Sequence, residues 1–520
     1  MPKHKSLSSL GLHTVNGSDP VINKIVFDSR QVAPGGLFAA LKGGSVHGAK
    51  FVEAVLDAGA SAILTDEEGE LILKGFKIDA LVVKKDARRA LAKAVSLFME
   101  KQPETIVAIT GTNGKTSVAT FCRQLWNEAG IEAINIGTTG VEGSWATPLN
   151  YTTPDPVKLH QVLSKAASEG ITHVAMEASS HGLDQRRLDG VQIKTTAFTN
   201  FSRDHLDYHI SYEDYFNAKK GLFDRLCPKE KAGVFNIDNG KIKNLAHWYA
   251  LNNHVITIGY NKTADLVILN QKFYPKSQDI RFSFRDKIYQ KSINLIGAFQ
   301  AENLLMAALL VISSGQPESN IFEILENIKP VRGRMELAAT KKNGATVYVD
   351  YAHTPDAIEV ALKSLKPHIL GKLIVVIGAG GGRDEGKRPL MGAAAEKNSD
   401  FVIITDDNPR NEDPKVIHQM IKKGIQDDNK VSVIADRAEA ILSAVNLLEV
   451  GDGLLIAGKG HETEQVIGEN NFPFDEKYGS KEDRYWIKAM VENNQNFLYD
   501  PDLVINHFYT KNGATWKGLV

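Results

Sequence analysis

Gly111-Thr112-Asn113-Gly114-Lys115-Thr116-Ser117 puts two glycines, a lysine and three hydroxyl side chains in seven consecutive positions. Glycines let the backbone turn so that successive N–H groups, with a helix N-terminus behind them, wrap a polyphosphate. Lys115 would then meet the β- and γ-phosphates of ATP, and the Thr116 hydroxyl would join a Mg2+ shell. The loop is two residues shorter than the full G-x-x-x-x-G-K-[ST] pattern, so its context must carry part of the argument. Glu177 closes the run HVAMEAS, and His205 lies in NFSRDHLDYH. A carboxylate and an imidazole at neighbouring strand ends can hold a second divalent ion, bridging a γ-phosphate and an acceptor carboxylate. Read singly, either residue is an ordinary solvated group. The phosphate loop is what joins them.

Such residues must be brought together by regular elements, and the apolar pattern supplies them. TIVAIT before the glycine loop reads as a buried strand, and VATFCRQLWNEAG after it as a helix closing at Gly130. HVAMEAS, TTAFTNF and GVFNID repeat the theme of an apolar strand ending in polar residues. Alternating strands and helices predict a parallel sheet covered on both faces, with ligands beyond the carboxyl ends of its strands. Upstream, KIVFDSR, PGGLFAAL and SAILTD read as strands, Ala49–Ala60 and Ala87 to about Lys101 as helices. Downstream, TVYVDYAHTPDAIEVAL, KLIVVIGAGGG, FVIITDDNPR, VSVIADRAEAILSAV and GLLIAGKGHE give a second series of strand–loop–helix units.

The chain of 520 residues suits about three domains. Boundaries are expected at 1–101, 102–333 and 334–500, with 501–520 a tail of no readable role. Lys plus Arg number 61 and Asp plus Glu 62, for a net charge of −1, which offers no general pull toward nucleic acid or anionic membrane. No apolar run approaches the ~18–20 residues that span a bilayer, and no signal peptide is evident. Cys122 and Cys227 cannot build a disulfide framework, so a reducing, cytoplasmic setting is expected.

Read in order, GTNGKTS, MEASSHGLDQRR, TNFSRDHLDYH and YFNAKKGLF resemble the ATP-dependent Mur ligases of peptidoglycan synthesis. The resemblance spans nearly the whole chain and rests on several independent motifs. It implies an α/β fold in three domains: a small mixed α/β N-terminal domain, a central P-loop-type parallel-sheet ATPase domain and a C-terminal Rossmann-like domain. It implies further that Lys219 is carbamylated and joins Thr116, Glu177 and His205 around Mg2+, whereas a helical lysine is by default solvated, as the adjacent Lys220 would be. In LIGAFQAENLLMA, Asn303 matches the family's second asparagine beside the nucleotide, and Gln300 stands where the first is expected. Arg334 in GRMEL and Asp350 in VDYAHTPDA match positions that contact the phosphates and ribose.

The flanking motifs bear on substrates. Asp28-Ser29-Arg30, PGGLFAAL and His47-Gly48 resemble the uridine-binding domain of the Mur ligases that add the third residue of the stem peptide, with Ser29 on the UDP moiety. Thr152 and Thr153, preceded by Tyr151, and Ser179, Gln185 and Arg187 match positions that hold a muramoyl dipeptide, so UDP-N-acetylmuramoyl-L-alanyl-D-glutamate is the expected substrate. Hydroxyls and Arg suit such a polyanion. Asp407-Asn408-Pro409-Arg410 resembles the recognition motif for meso-2,6-diaminopimelate. A guanidinium can engage the second carboxylate that lysine lacks. Arg383 adds positive charge, and Gly458 and Glu462 in AGKGHE can receive the distal ammonium. The glycines of GAGGGRD brush against dinucleotide-binding patterns, a weak signal without an acidic ribose partner. The resemblance thus implies an amide ligase working through an acyl phosphate. A folylpolyglutamate-type ligase and a nucleotide-switched binding protein are the alternatives. No nucleic acid, no membrane insertion and a monomer are expected.

Overall fold

The computed structural model describes residues 4–44, 46–227, 230–462 and 464–473. The expected tail 501–520, and the part of the third expected domain beyond residue 473, lie outside the described residues. Three main sheets follow one another along the chain. The first has four parallel strands in sequential order, Lys24–Val26, Gly36–Ala40, Ala62–Thr65 and Leu81–Val83. Its two middle strands are buried at every residue, which is why they read as unbroken apolar runs. The KIVFDSR strand stops at Val26 because Asp28 turns the chain: its carboxylate accepts from the Arg30 N–H and caps a 3-10 turn, Ser29–Gln31. The helix expected at 49–60 forms as a 3-10 turn, Gly48–Phe51, that runs into the α-helix Val52–Asp57.

The second sheet has ten strands. It is parallel from Ala133–Gly137 across to Leu266–Tyr274 and gains antiparallel strands at both edges. The meander Leu266–Tyr274, Ser277–Phe284 and Lys287–Ile293 was not among the motifs that stand out in the sequence. Its signal is period-two burial: Gln278, Ile280, Phe282 and Phe284 turn inward while their neighbours do not. Functionally the decisive feature is strand order. Thr105–Thr110, which feeds the glycine loop, lies between His173–Glu177 and Ile193–Phe198. The loop, Glu177 and the segment leading to His205 therefore emerge side by side at one sheet edge.

The third sheet orders its six strands Glu336–Thr340, Thr346–Asp350, Gly453–Ala457, Leu373–Ile377, Phe401–Ile404 and Val431–Val433; only the first pair is antiparallel. Asp350, Gly458, the glycine run after Ile377 and the Asp407–Arg410 segment thus all leave its carboxyl edge.

One core residue is expected to make stability pH-dependent. His160, in the helix Pro156–Ser168, is fully buried and neither ring nitrogen has a hydrogen-bond partner among the described residues. Burial pulls its pKa down to about 4. The unfolded chain, with an ordinary histidine near ~6.5, binds the extra proton first. Stability from this group is complete above pH ~6.5 and is lost toward pH 4, at up to about 1.4 kcal/mol per pH unit. Denaturant melts across that window are expected to show a slope, and His160→Met to reduce it by this group's share; an unchanged slope would exclude this origin.

Candidate active site

Each residue of the glycine loop has a defined task. Gly114 starts the helix Lys115–Glu128 with φ of 84°, in the left-handed region. A Cβ there would lie 2.5 Å from Asn303 Oδ1. The close approach explains why glycine is required and brings Asn303 against the loop. Gly114→Ala is expected to cost about 1–2 kcal/mol in backbone strain alone and to displace Asn303. ATP affinity should fall about tenfold or more, measured by nucleotide titration; unchanged affinity would remove Gly114 from the nucleotide site.

The rest of the loop is pinned by the next strand's turn. Thr112 N–H donates to Asn200 O and Asn113 N–H to Asn200 Oδ1, and the Thr199 hydroxyl donates to Asn113 O. The Tyr215 and Thr112 hydroxyls pair at 3.1 Å. Ser117 is buried in the helix, and Thr116 accepts from Arg334 Nη2 at 3.1 Å. That last contact carries the third sheet's segment onto the loop. Arg334 also stacks on Tyr351, 4.4 Å from the ring centre. Asp350 accepts from Met335 N–H and Ala352 N–H, and burial raises its carboxyl pKa against the opposing pull of Arg334. Gln300 donates to Arg334 O and accepts from Asn303.

Two lysines converge on one carbonyl. Lys115 Nζ donates to Gly111 O at 3.0 Å and Thr112 O at 2.7 Å; Lys219 Nζ donates to Gly111 O at 2.7 Å. Lys219, in the helix Tyr212–Gly221, is buried, and burial followed by the charge of Lys115 holds its pKa well below the ordinary lysine value. Lys220, its neighbour, pairs with Asp224 at 2.5 Å. The helical register separates them: one side chain turns into the site and the other away.

Glu177 is buried, accepting from Thr138 N–H at 2.8 Å and from the Thr138 hydroxyl at 3.2 Å. His205, at φ of 53°, stands beside Asp204 and 4.9 Å from the His181 ring. Burial lowers its pKa to about 4 despite Asp204, with Lys115 and Lys219 adding to the effect. The imidazole is therefore neutral near pH 7, the form that binds metals. Among the described residues no three His, Cys, Asp or Glu groups cluster as a metal site. The donors at hand are a hydroxyl, one carboxylate, an imidazole and an amine whose pKa burial holds down. The two oxygens suit Mg2+.

Beside this centre, Thr152 and Thr138 share a hydroxyl contact of 3.0 Å. Thr153 is fully buried, its hydroxyl donating to Glu177 O and accepting from Ser179 N–H, so it holds the loop rather than facing the cleft. The Ser179 hydroxyl caps the helix Ser180–Asp184. Arg187 donates to Thr153 O and to Gln185 Oε1 and lies over the Tyr151 ring at 4.9 Å. Tyr151 thus flanks this group. Ser29 is on the separate four-stranded unit, half-buried at its 3-10 turn.

On the third sheet, Asp407 and Asn408 are buried. Asn408 donates to Glu462 at 2.9 Å and accepts from Lys459 at 2.9 Å and from Val466 N–H. Gly458, at φ of 115°, leaves room for Asp407, whose Oδ2 would sit 2.8 Å from a Cβ there. Pro409 continues the segment to Arg410, which donates to Gly381 O at 2.8 Å. Arg383 is exposed on the neighbouring glycine loop. A cleft of about 440 Å³ joins the sheets: Thr138, the residue that holds Glu177, lines it together with Arg332, Asn408, Arg410, His461 and Glu462.

Three family models match consecutive stretches of the chain: "Mur ligase family, catalytic domain" over 21–103, "Mur ligase middle domain" over 109–311 and "Mur ligase, glutamate ligase domain" over 333–460. A relative from Rhizobium meliloti, UDP-N-acetylmuramoyl-L-alanyl-D-glutamate–2,6-diaminopimelate ligase, is 45% identical over 88% of this chain and 92% of its own. The chain belongs to the Mur ligase family. It is an ATP-dependent ligase of peptidoglycan precursor synthesis. A solved structure of a 2,6-diaminopimelate ligase of the same name is 32% identical with a TM-score of 0.67, covering 94% of this chain and 99% of that one. Folylpolyglutamate synthase of Mycobacterium tuberculosis, at 17% identity and a TM-score of 0.60 over 72% of this chain and 92% of its own, shares the fold alone.

In this Mur ligase tertiary contact gives weight to three further residues. Thr138 follows the strand Ala133–Gly137 in INIGTTG, a strand-end polar residue like Glu177. Lys459 lies inside GKGHE, between the two residues singled out there; it is buried, and burial lowers its pKa. Tyr351 lies beside Asp350 inside VDYAHTPDA, and only its stacking with Arg334 gives it a role. No helix among the described residues is long and apolar enough to cross a membrane.

Proposed function

We propose that this Mur ligase joins meso-2,6-diaminopimelate to the D-glutamyl γ-carboxylate of UDP-N-acetylmuramoyl-L-alanyl-D-glutamate, through an acyl phosphate formed at the expense of ATP. One observation carries the reading: Arg410 and Glu462 line the same cleft as Thr138, which holds Glu177 beside the phosphate loop. An amino acid gripped by the third sheet would face an acyl group activated at the second.

The first step brings a carboxylate to a triphosphate, so repulsion between anions is the barrier to be lowered. Lys115 leaves the Gly111 and Thr112 carbonyls to meet the phosphates. The N–H groups that open the helix Lys115–Glu128 would form the cradle, on a loop that Thr199 and Asn200 hold by Thr112 and Asn113. Thr116, Glu177, His205 and Lys219 would hold Mg2+. When bound, the metal neutralises phosphate and carboxylate charge and aligns them. Lys219 serves this set only as a carboxylate. Burial favours its uncharged amine, the form that adds carbon dioxide to give a carbamate with release of one proton, and the nearby Lys115 charge favours the resulting anion. Arg187, Gln185, Ser179 and Thr152 would grip the muramoyl dipeptide, and Ser29 the UDP end.

Arg410 would pair with the side-chain carboxylate of diaminopimelate, with Arg383 supplying further positive charge. Glu462 and the Gly458 carbonyl would take the distal ammonium. The reacting amine then attacks the acyl carbon and phosphate leaves. No residue of the chain forms a covalent bond to substrate. All residues named come from one chain, so a monomer suffices, and two buried thiols suit a cytoplasmic enzyme. A folylpolyglutamate-type reaction leaves Ser29 and Arg410 without a task. The test offers meso-diaminopimelate and lysine side by side with ATP and the sugar nucleotide. Phosphate release is expected with diaminopimelate and only with the sugar nucleotide present. Release independent of the sugar nucleotide would sink the reading.

A further inference from the structure

The glycine run Gly378–Gly382, with Asp384 beyond it, follows the strand Leu373–Ile377 and looks like a nucleotide loop, yet its contacts go elsewhere. Gly381 N–H donates to Asn408 O at 2.9 Å, and Gly381 O accepts from Arg410 Nη1 at 2.8 Å. Gly382 N–H donates to Glu412 Oε2 at 3.1 Å. Glu412 in turn holds Arg388, whose Nη2 reaches Glu412 Oε2 at 2.7 Å and Gly380 O at 3.3 Å. Arg388 is completely buried. Loop, ion pair and the Asp407–Arg410 segment therefore form one closed ring of contacts.

The ring explains two local oddities. Arg410 sits at φ of 51°, a left-handed conformation that a non-glycine residue adopts only when its surroundings impose it. Its N–H is tied to Val466 O at 3.0 Å and its carbonyl to Gly468 N–H at 2.8 Å, while the loop holds its guanidinium. Gly381 has no room for a side chain: a Cβ would overlap Pro409 O and come within 3.0 Å of Glu412 Cβ. Arg388 is buried and Glu412 is part-exposed, and their charge-assisted contact ties the loop to the segment that follows Arg410.

We propose that Gly381, Glu412 and Arg388 are positioning residues that aim the Arg410 guanidinium into the interdomain cleft and thereby set the preference for an amino acid bearing a second carboxylate. Backbone carbonyl Gly381 O takes one N–H of the fork and fixes its plane. The remaining donors are presented in a set direction, which bidentate pairing requires. This inference rests on the reading of Arg410 given above.

The experiment compares Gly381→Ala, Glu412→Gln and Arg410→Ala in the full-length enzyme with the sugar nucleotide saturating. KM for ATP and for meso-diaminopimelate, and kcat/KM for lysine, are measured for each. Glu412→Gln keeps shape and volume, so it guards against a Gly381→Ala chain that fails to fold. In both positioning variants the diaminopimelate KM is expected to rise about tenfold while the ATP KM stays within about twofold, and the preference over lysine should fall about tenfold. Glu412→Asp, which retains the charge, should recover part of the preference. If Arg410→Ala loses the preference but both other variants keep it, the positioning role is wrong and the substrate reading stands. If Arg410→Ala itself keeps it, both are wrong. An equal rise in both KM values would mark a general structural defect and overturn the proposal.

Discussion

Lys219→Ala is expected to lower kcat by about 10³-fold or more while leaving ATP binding largely intact, with partial recovery on adding formate or acetate. The magnitude follows from removing a preorganised anionic group where charge must be managed in the transition state, an effect of about 10²–10³ for a single donor elsewhere. Recovery follows from geometry. Deleting the buried side chain leaves a space beside Lys115 and Gly111 O that a small carboxylate can enter. The bare lysine makes its hydrogen bond to Gly111 O, a role that a carboxylate cannot fill because it has no proton to donate. Steady-state kinetics over a series of carboxylic acids therefore separates the two roles. Recovery that falls with acid size supports a carbamate, and its absence with every acid would leave Lys219 as a structural amine.

Arg410→Ala is expected to raise the diaminopimelate KM about 10- to 150-fold, the equivalent of about 1.5–3 kcal/mol for a lost charge-assisted pair. The ATP KM should change about twofold or less, because Lys115, Thr116 and Arg334 contact the phosphate loop and not the Arg410 segment. Equal effects on both constants would place the amino-acid pocket elsewhere. Arg410→Lys should recover little, since a single ammonium cannot reproduce the planar fork held against Gly381 O.

Local chemistry made much of this molecule readable from residues alone. The glycine loop between TIVAIT and its helix, the strand-end position of Glu177 and the DNPR segment are each encoded in fewer than about ten neighbouring residues, because turns, caps and strand ends depend on short-range backbone geometry. What lay beyond reach was anything settled by strands far apart in the chain. Thr138 reaches Glu177 across a separation of 39 residues because their strands pair in the sheet. Lys219 and Lys220 look alike as letters; only the helix packing makes one buried, with its pKa held down, and the other an ion-paired surface group. Thr153 has the same composition as Thr152 but points into the core. The cleft itself has Arg410 and Thr138 in its lining, residues of two different sheets' segments that contacts such as Arg334 to Thr116 and Gly297 N–H to His368 hold together. Motifs read in order along the chain carry the family and the three-domain α/β plan, and they name the residue types proposed for the site. Burial, and with it protonation state and the direction of each side chain, was decided by tertiary packing, because desolvation and pairing are set by every element that surrounds a group.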